Sequence, residues 1–346
     1  MLFLITLLSC EPGNLQSAHK QSRVPSQVHR TAAVPEPIRR IEAPDPELDT
    51  RQFSSSFSVA GDVDGDGYAD ILIGDDASGE NLTGAAYLYY GSASGLSGDY
   101  TRIVDSGVKR SDSYGKSLTG VGDLDEDGLD DFIISSHLND DQSENSGCIY
   151  LYFGSITGNF TGEQLFAEDI GLAFGTSLSG VGDINDDGYP DLLVGAATNV
   201  ETGGQAYLLY GSSSGFQDDQ EIFSLSDGSN GESFGSRVSE GGDINADGIP
   251  DAFISAHRED DIGFIYVYYG SRSGLQDEQQ IGASDAFEGL DFGWGISEAG
   301  DVDDDGYADI VVGAIGEESV TNNNGAIYVY YGSTSGIDPT SGRCRW

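Results

Sequence analysis

Basic residues, cysteine and long apolar runs are scarce in this chain. Fifteen Lys and Arg stand against 59 Asp and Glu in 346 residues, and the formal net charge is −44. Nucleic acids and anionic membrane surfaces are bound through clustered Lys and Arg, so this charge disfavours both as partners. Three cysteines, Cys10, Cys148 and Cys344, form no disulfide framework. No segment reaches the ~20 apolar residues that a transmembrane helix needs.

Glycine and aromatic residues are abundant instead. The chain has 50 Gly, 18 Tyr and 15 Phe. No stretch keeps the 3.6-residue period of an amphipathic helix. Short alternating runs lie between turns rich in Gly, Asn, Asp and Ser. The sequence therefore predicts an all-β protein of short strands and tight turns.

Residues 1–10 are a short apolar run that ends in Leu7-Leu8-Ser9-Cys10. This ending resembles a bacterial lipobox, in which the cysteine carries the lipid anchor. We expect an exported protein, lipidated at Cys10 and held at the outer membrane or cell surface; an ordinary signal peptide is the alternative. Residues 11–37 hold four prolines and no apolar period, which predicts a disordered linker.

An acidic sequence recurs five times, beginning at Gly61, Gly122, Gly182, Gly242 and Gly300. Each copy is preceded by an aromatic-small pair and followed by an apolar run and a Tyr-rich alternating run. We align these pairs as Phe57-Ser58, Tyr114-Gly115, Phe174-Gly175, Phe234-Gly235 and Phe292-Gly293. Each unit of about 60 residues predicts four short strands, and four-stranded units that repeat radially are the blades of a β-propeller.

The aromatic-Gly pair, the acidic loop and segments such as Val194-Gly195-Ala196 resemble FG-GAP repeats. The resemblance implies a propeller like that of integrin α subunits, with Ca²⁺ in the loop between the first two strands of each blade. We expect blades at residues 51–105, 106–165, 166–224, 225–283 and 284–340, within a propeller that spans residues 38–340.

The number of blades differs from that of the family: the sequence shows five repeats, whereas the integrin propeller has seven blades. The fifth repeat ends near Ile337, before an outer strand. Residues 38–43 stand where other repeats place that strand, so we predict that they close a five-bladed ring by pairing with the fifth blade. Closure would remove unpaired strand edges. The alternative is a truncated part of a larger propeller.

Each acidic loop reads Asp-x-Asp/Asn-x-Asp-Gly-x-x-Asp. Side chains at positions 1, 3, 5 and 9 and the carbonyl at position 7 offer hard oxygen ligands, which suit Ca²⁺. Five matching copies are unlike random acidic turns, because uncompensated carboxylates this close together repel one another. We therefore predict about five Ca²⁺ sites, with weaker binding in the two loops that carry Asn at position 3.

The predicted ligands are Asp62, Asp64, Asp66, Tyr68 and Asp70; Asp123, Asp125, Asp127, Leu129 and Asp131; Asp183, Asn185, Asp187, Tyr189 and Asp191; Asp243, Asn245, Asp247, Ile249 and Asp251; and Asp301, Asp303, Asp305, Tyr307 and Asp309.

No set of residues in the sequence has the pattern of a catalytic site. The Gly-x-Ser-x-Gly sequence at residues 211–215 is predicted to lie between strands, whereas a nucleophile elbow needs a strand-to-helix turn. His137 and His257 share one repeat position and are candidates for a ligand-binding rim; the alternative is local hydrogen bonding. The Tyr stripe and Cys148 are predicted to be core.

These patterns favour a non-enzymatic, calcium-binding adhesion module on the bacterial cell envelope, with a protein or glycan ligand. Loops at residues 80–83, 139–146 and 198–203 are the expected contact surfaces. Two alternatives stay open: a hydrolase or lyase that acts on extracellular polysaccharide, and a purely structural envelope module.

Overall fold

The computed structural model describes residues 40–43, 52–77, 83–167, 173–197, 204–225, 233–283, 290–316, 318–319, 322–323, 325–339 and 343–344. The chain divides into two compact units, Met1–Pro44 and Asp45–Trp346, and the strands of the described residues all belong to the second. The predicted signal peptide with Cys10 and the linker at residues 11–37 lie outside the described residues. Within the described ranges, no helix has the length and hydropathy needed to cross a bilayer.

The described residues form five antiparallel sheets of four strands each, as the repeats predict, and one two-stranded hairpin. The strands are β1 (Ser56–Gly61), β2 (Asp70–Asp75), β3 (Ala85–Tyr89), β4 (Tyr100–Ile103), β5 (Tyr114–Gly122), β6 (Asp131–Ser136), β7 (Cys148–Tyr152), β8 (Gly162–Leu165), β9 (Ser177–Gly182), β10 (Asp191–Ala196), β11 (Gln205–Ser212), β12 (Gly215–Phe223), β13 (Phe234–Gly242), β14 (Asp251–Ala256), β15 (Phe264–Tyr269), β16 (Gln276–Ile281), β17 (Phe292–Gly300), β18 (Asp309–Ala314), β19 (Glu318–Ser319), β20 (Asn322–Asn323), β21 (Ala326–Tyr330) and β22 (Arg343–Cys344).

The sheets run β1 to β4, β5 to β8, β9 to β12 and β13 to β16 in chain order, and the fifth runs β17-β18-β21-β22. The second strand of each sheet has a neighbour on both edges. In the second, third and fourth sheets this strand is buried along its whole length. After its first residue, Asp191, strand β10 is a continuous run of apolar and small residues, which suits burial on both faces. The fold is therefore all-β, with the blades of a β-propeller.

The core lies between successive sheets. Four apolar clusters join the first sheet to the second, the second to the third, the third to the fourth and the fourth to the fifth. In each cluster, one face of a sheet packs on the opposite face of the next sheet along the chain. We call these the front face and the back face. The predicted Tyr stripe is buried: Tyr150, Tyr266 and Tyr328 lie within these clusters, and Tyr87 is buried in the first sheet.

An aromatic pair marks the back face of every sheet. Phe174 meets Tyr207 edge to face at 5.2 Å between ring centroids, and Phe234 meets Tyr266 at 5.5 Å. The equivalent pair in the first sheet is Phe53 with Tyr87, at 5.5 Å. Such edge-to-face pairs are favourable beyond the apolar area that they bury. The alignment of Phe57-Ser58 with the aromatic-small pairs is therefore wrong, because Phe53-Ser54 occupies that position.

Strand β22 corrects the predicted completion of the fifth sheet. It pairs with β21, with Ile327 opposite Cys344 and Tyr328 opposite Arg343. The fourth strand thus comes from beyond residue 340, where the predicted blade ends. Residues 40–43 of the predicted closing segment contain no strand, and residues 38 and 39 lie outside the described ranges. Strand β22 therefore pairs with Ile327 and Tyr328 of the edge that residues 38–43 were expected to fill.

Candidate metal loops

The five acidic loops connect the first and second strands of the five sheets, so they lie at the same end of every sheet. The glycine at position 6 has a positive φ in each loop, from 90° at Gly67 to 100° at Gly188. Glycine adopts this conformation without steric cost, which explains its presence at the sharp turn.

Position 4 of each loop is also left-handed. Here φ is 75° at Gly65 and between 56° and 63° in the other loops, which carry Glu126, Asp186, Ala246 and Asp304. Non-glycine residues rarely adopt this conformation, and its recurrence shows that the surrounding loop holds it. The variable residue types at this position gave no sequence signal for the shared geometry.

Backbone N–H groups hold the carboxylates at positions 1 and 5. In the third loop, Asp187 N donates to Asp183 Oδ1 at 2.9 Å and Gly188 N donates to Asp183 Oδ2 at 2.8 Å. Tyr189 N donates to Asp187 Oδ1 at 3.0 Å. The same three bonds recur in the other four loops. The backbone therefore orients these side chains in one shared arrangement.

Acidic oxygens converge in three of the loops, at positions 1, 3 and 5 in the first and second loops and at positions 1, 3 and 9 in the fifth. In each of three groups, one carboxylate oxygen from each member lies within 4.8 Å of the others, and one such group lies in each of the first, second and fifth loops. The groups are Asp62, Asp64 and Asp66; Asp123, Asp125 and Asp127; and Asp301, Asp303 and Asp309. Burial, followed by the nearby carboxylates, raises the pKa of Asp303. This donor set fits a hard divalent cation, which would offset the repulsion.

The aspartate at position 9 has a second role that its sequence pattern does not reveal. Asp191 is fully buried; its Oδ2 accepts from Ile184 N at 2.9 Å and its Oδ1 accepts from Gly211 N at 2.8 Å. Gly211 follows the apolar part of β11, so the carboxylate ties the loop to the third strand. Burial raises the pKa of Asp191 to about 7, although these hydrogen bonds oppose the rise. A nearby cation would favour its charged form.

Position 9 has the same partners in every sheet. Each carboxylate accepts one hydrogen bond from position 2 of its loop and one from a glycine at or just after the end of the third strand. The five residues are fully buried: Asp70, Asp131, Asp191, Asp251 and Asp309. Ligation by position 9 stays a prediction, and these contacts show its part in holding each hairpin together.

Neighbouring loops also contact one another. Asp62 N donates to Asp130 Oδ2 at 2.7 Å, and Asp130 N donates to the Asp62 carbonyl at 3.0 Å. The first and second loops are therefore joined directly by their backbones and by one side chain. A cation that ordered one loop would stabilise its contact with the next blade as well.

We predict that Asn185→Asp strengthens Ca²⁺ binding at the third loop by about tenfold, because it adds one negative charge to the donor set. Asn185 Nδ2 now donates to Asp187 Oδ2 at 3.0 Å, so the substitution also replaces this bond with repulsion in the metal-free protein. Calorimetric titration should show the tighter site. Asn159→Asp, in the exposed turn after β7, is the matched control and should leave every site unchanged.

The two histidines lie at the other end of the second strands, just after β6 and β14. His257 Nδ1 lies 2.7 Å from Ser236 Oγ, and its ring meets Trp294 of the next sheet edge to face at 5.0 Å. His137 Nδ1 is buried and has no hydrogen-bond partner. The two side chains share a repeat position but differ in their partners. Their role in a ligand rim stays a prediction.

The buried His257 predicts a loss of stability in acid. Burial first, and then the charge of Arg258, lowers the pKa of His257 to about 4. The unfolded chain takes up this proton near pH 6.5 and the folded chain does not, so stability falls as pH drops from about 6.5 to about 4. Thermal scans of His257→Gln should show a shallower decline over this interval than the wild type. Equal slopes would contradict this prediction.

Two further predictions are confirmed: Cys148 is a core residue, and residues 211–215 form a turn between strands. Cys148 is fully buried, and Gln164 Nε2 donates to its sulfur at 3.3 Å. Burial raises the pKa of this thiol to about 12, which keeps it protonated at neutral pH. Ser213 lies in the turn between β11 and β12, so a strand and not a helix follows it. The geometry of a nucleophile elbow is therefore missing from residues 211–215.

The aromatic-Gly pairs, the acidic loops and the strands that follow them match a known repeat family. The FG-GAP repeat model matches residues 53–89, 174–209 and 292–330. The chain is an FG-GAP repeat protein. The matched segments begin at Phe53, Phe174 and Phe292, the residues that form the aromatic pairs of the first, third and fifth sheets.

Curated relatives of this FG-GAP protein include integrin α subunits. Integrin alpha-V of Gallus gallus is 31% identical over 255 residues, which are 66% of this chain and 23% of that protein. Integrin alpha-3 of Cricetulus griseus is 32% identical over 51% of the chain and 17% of its own length. Integrin alpha-7 of Homo sapiens is 34% identical over 45% of the chain and 13% of its own length. The chain thus spans less than a quarter of these relatives.

Proposed function

We propose that this FG-GAP protein is a calcium-stabilised, non-enzymatic binding module. The repeated geometry of the five loops carries the proposal. The same backbone N–H groups orient the carboxylates at positions 1 and 5 in every sheet, and three loops bring three acidic oxygens within 4.8 Å of one another. The similarity to integrin α subunits supports a binding role for the blades.

Calcium would be held by the side chains at positions 1, 3, 5 and 9 and by the carbonyl at position 7. The ion would neutralise clustered negative charge and favour the folded state, because the unfolded chain cannot assemble the donor set. The metal-free end of each sheet would then be available for a ligand. We further propose that the module is exported to the bacterial envelope and anchored at Cys10, which would place it where calcium is plentiful.

Of the three loops expected to form the binding surface, the one at residues 139–146 is described in full, whereas residues 80–82 and 198–203 lie outside the described ranges. The loop at residues 139–146 connects β6 and β7 at the end of the sheet opposite to the acidic loops. Asn139 is buried and its Nδ2 donates to Asp112 Oδ2 at 3.3 Å, which anchors the loop, while Glu144 is exposed. An anchored base with exposed side chains is suited to contact a protein or glycan ligand.

Binding to arrays of extracellular proteins and glycans, measured with the full chain in calcium and in chelator, tests this proposal. We expect calcium-dependent binding that Glu144→Arg weakens at least tenfold. Glu163→Arg, on the outer strand β8, is the matched charge control and should have no effect. Release of a chemically altered ligand would overturn the non-enzymatic role. Binding that ignores both calcium and Glu144→Arg would overturn the assignment of the surface.

A further inference from the structure

A basic and aromatic cluster lies at the junction of the fourth and fifth sheets, at the end opposite to the acidic loops. Arg237 of β13 places its guanidinium carbon 5.8 Å from the ring centroid of Trp294, near the start of β17. The indole ring of Trp294 also meets the His257 ring edge to face, at 5.0 Å between centroids. We call these three residues the Arg237 cluster. It combines a cation with an aromatic surface.

Buried groups hold the Arg237 cluster in place. Ser236 and His257 are 4 and 8% exposed, and Ser236 Oγ lies 2.7 Å from His257 Nδ1. This contact fixes the imidazole ring, against which the indole packs. Trp294 and Arg237 both reach solvent. A ligand would therefore meet side chains that are already ordered, which lowers the entropic cost of binding.

The guanidinium group of Arg237 lacks an acidic partner in the described part of the chain. Its Nη1 donates to the Ser236 carbonyl at 2.6 Å, and arginine has further N–H donors. The ion pairs found within 4.0 Å in the described ranges are Arg40 with Glu42, Lys109 with Asp141, Lys116 with Asp76 and Arg272 with Asp186. In a chain with 59 Asp and Glu, Arg237 is thus available to a carboxylate from outside.

The junction of the first and second sheets shows what is different here. Asp76 stands at the repeat position of His257, and Lys116 stands at that of Trp294. Their Oδ2 and Nζ atoms lie 3.2 Å apart, so the basic side chain is neutralised within the chain. At the fourth junction a histidine replaces the acid, and Arg237 supplies a cation. This junction therefore carries a positive charge that no acidic side chain at these positions offsets.

We propose that the Arg237 cluster binds one acidic sugar unit, a uronic acid, of a glycan ligand. This inference rests on the proposed binding function and names the class of its ligand. The sugar carboxylate accepts a pair of hydrogen bonds from the guanidinium group, the geometry that arginine favours. The apolar C–H face of the sugar ring packs on the exposed part of the indole. A peptide carboxylate uses only the first of these contacts, so the cluster fits a sugar better.

Fluorescence titration of the full chain in calcium with methyl glucuronide tests this proposal. The chain has two tryptophans, so Trp346→Phe leaves Trp294 as the single tryptophan reporter. We expect a saturable change in its emission with a Kd that is roughly millimolar, as suits a ligand of this size. Methyl glucoside lacks the carboxylate and should bind at least tenfold more weakly. Arg237→Gln should remove this preference, whereas Arg102→Gln, an exposed position on the outer strand β4, should keep it.

Arg237→Lys is the second variant, because it keeps the charge and loses the paired hydrogen bonds. It should weaken glucuronide binding several-fold, and circular dichroism establishes that each variant is folded. Equal affinities for glucuronide and glucoside, or a preference that survives Arg237→Gln, would overturn the proposal. Equally tight binding of N-acetylglutamate amide, which has no sugar ring, would overturn the sugar assignment in favour of an acidic peptide.

Failure of this inference can be distinguished from failure of the proposed function. Calcium-dependent binding on the arrays that Glu144→Arg weakens and Arg237→Gln leaves unchanged would overturn this inference alone. Glucuronide binding by a chain that shows no calcium-dependent binding on the arrays would overturn the proposed function alone.

Discussion

Calcium will raise the thermal unfolding midpoint of chelator-stripped protein by on the order of 20 °C. At a hundredfold excess over its Kd, each occupied site contributes about 2.7 kcal/mol to the free energy of unfolding. The five loops share one geometry, so the contributions of their sites to the free energy of unfolding add. The unfolding midpoint of a domain of this size rises by roughly 2 °C or more per kcal/mol. Differential scanning calorimetry in chelator and in calcium measures the shift.

Magnesium and a loop variant serve as the controls for this prediction. Mg²⁺ demands near-octahedral geometry and retains water, so it should raise the midpoint much less than Ca²⁺. Asp127→Ala removes the position-5 carboxylate of the second loop, whose Oδ1 accepts from Leu129 N at 2.9 Å. In this variant, calcium should raise the unfolding midpoint by less than in the wild type, and the difference should equal about the contribution of one site. An unchanged midpoint in calcium would contradict the proposed stabilising role.

Replacement of Phe234 by alanine will lower the free energy of unfolding by about 3–5 kcal/mol, because Phe→Ala in a core leaves a large cavity. Phe234 is fully buried between the third and fourth sheets, where it meets Tyr266 edge to face. Its loss should therefore weaken one junction between blades. Urea unfolding monitored by tyrosine fluorescence and circular dichroism measures the change.

Phe57→Ala is the matched control for this loss. It deletes the same side chain, but Phe57 is 77% exposed on the first strand of the first sheet, so we expect a change within about 0.5 kcal/mol. Equal losses for the two variants would contradict the assignment of Phe53, rather than Phe57, to the aromatic pair of the first sheet.

The repeat pattern predicted the blades well, because five in-register copies of an acidic turn between apolar strands have few alternative folds. The first aromatic pair was misplaced because residues 53–58 contain two identical Phe-Ser pairs. Spacing distinguishes them: Phe53 stands nine residues before Asp62, as Phe174 stands nine before Asp183. Phe57 stands only five before it. A fixed distance to the acidic loop was the signal for the correct residue.

Other features depend on contacts that local sequence does not encode. The fourth strand of the fifth sheet is only two residues long, at Arg343–Cys344, too short to carry an alternating pattern. The double hydrogen bonding of Asp191 joins a loop to Gly211, which is distant in the sequence.

The number of calcium ions bound per chain tests the central claim most directly. Isothermal titration calorimetry of the chelator-stripped full chain should give about five ions, with Asp127→Ala giving about one fewer. The loops with Asn at position 3 should fill last. One ion or none, with the protein folded by circular dichroism, would contradict the claim that the five acidic loops are calcium sites.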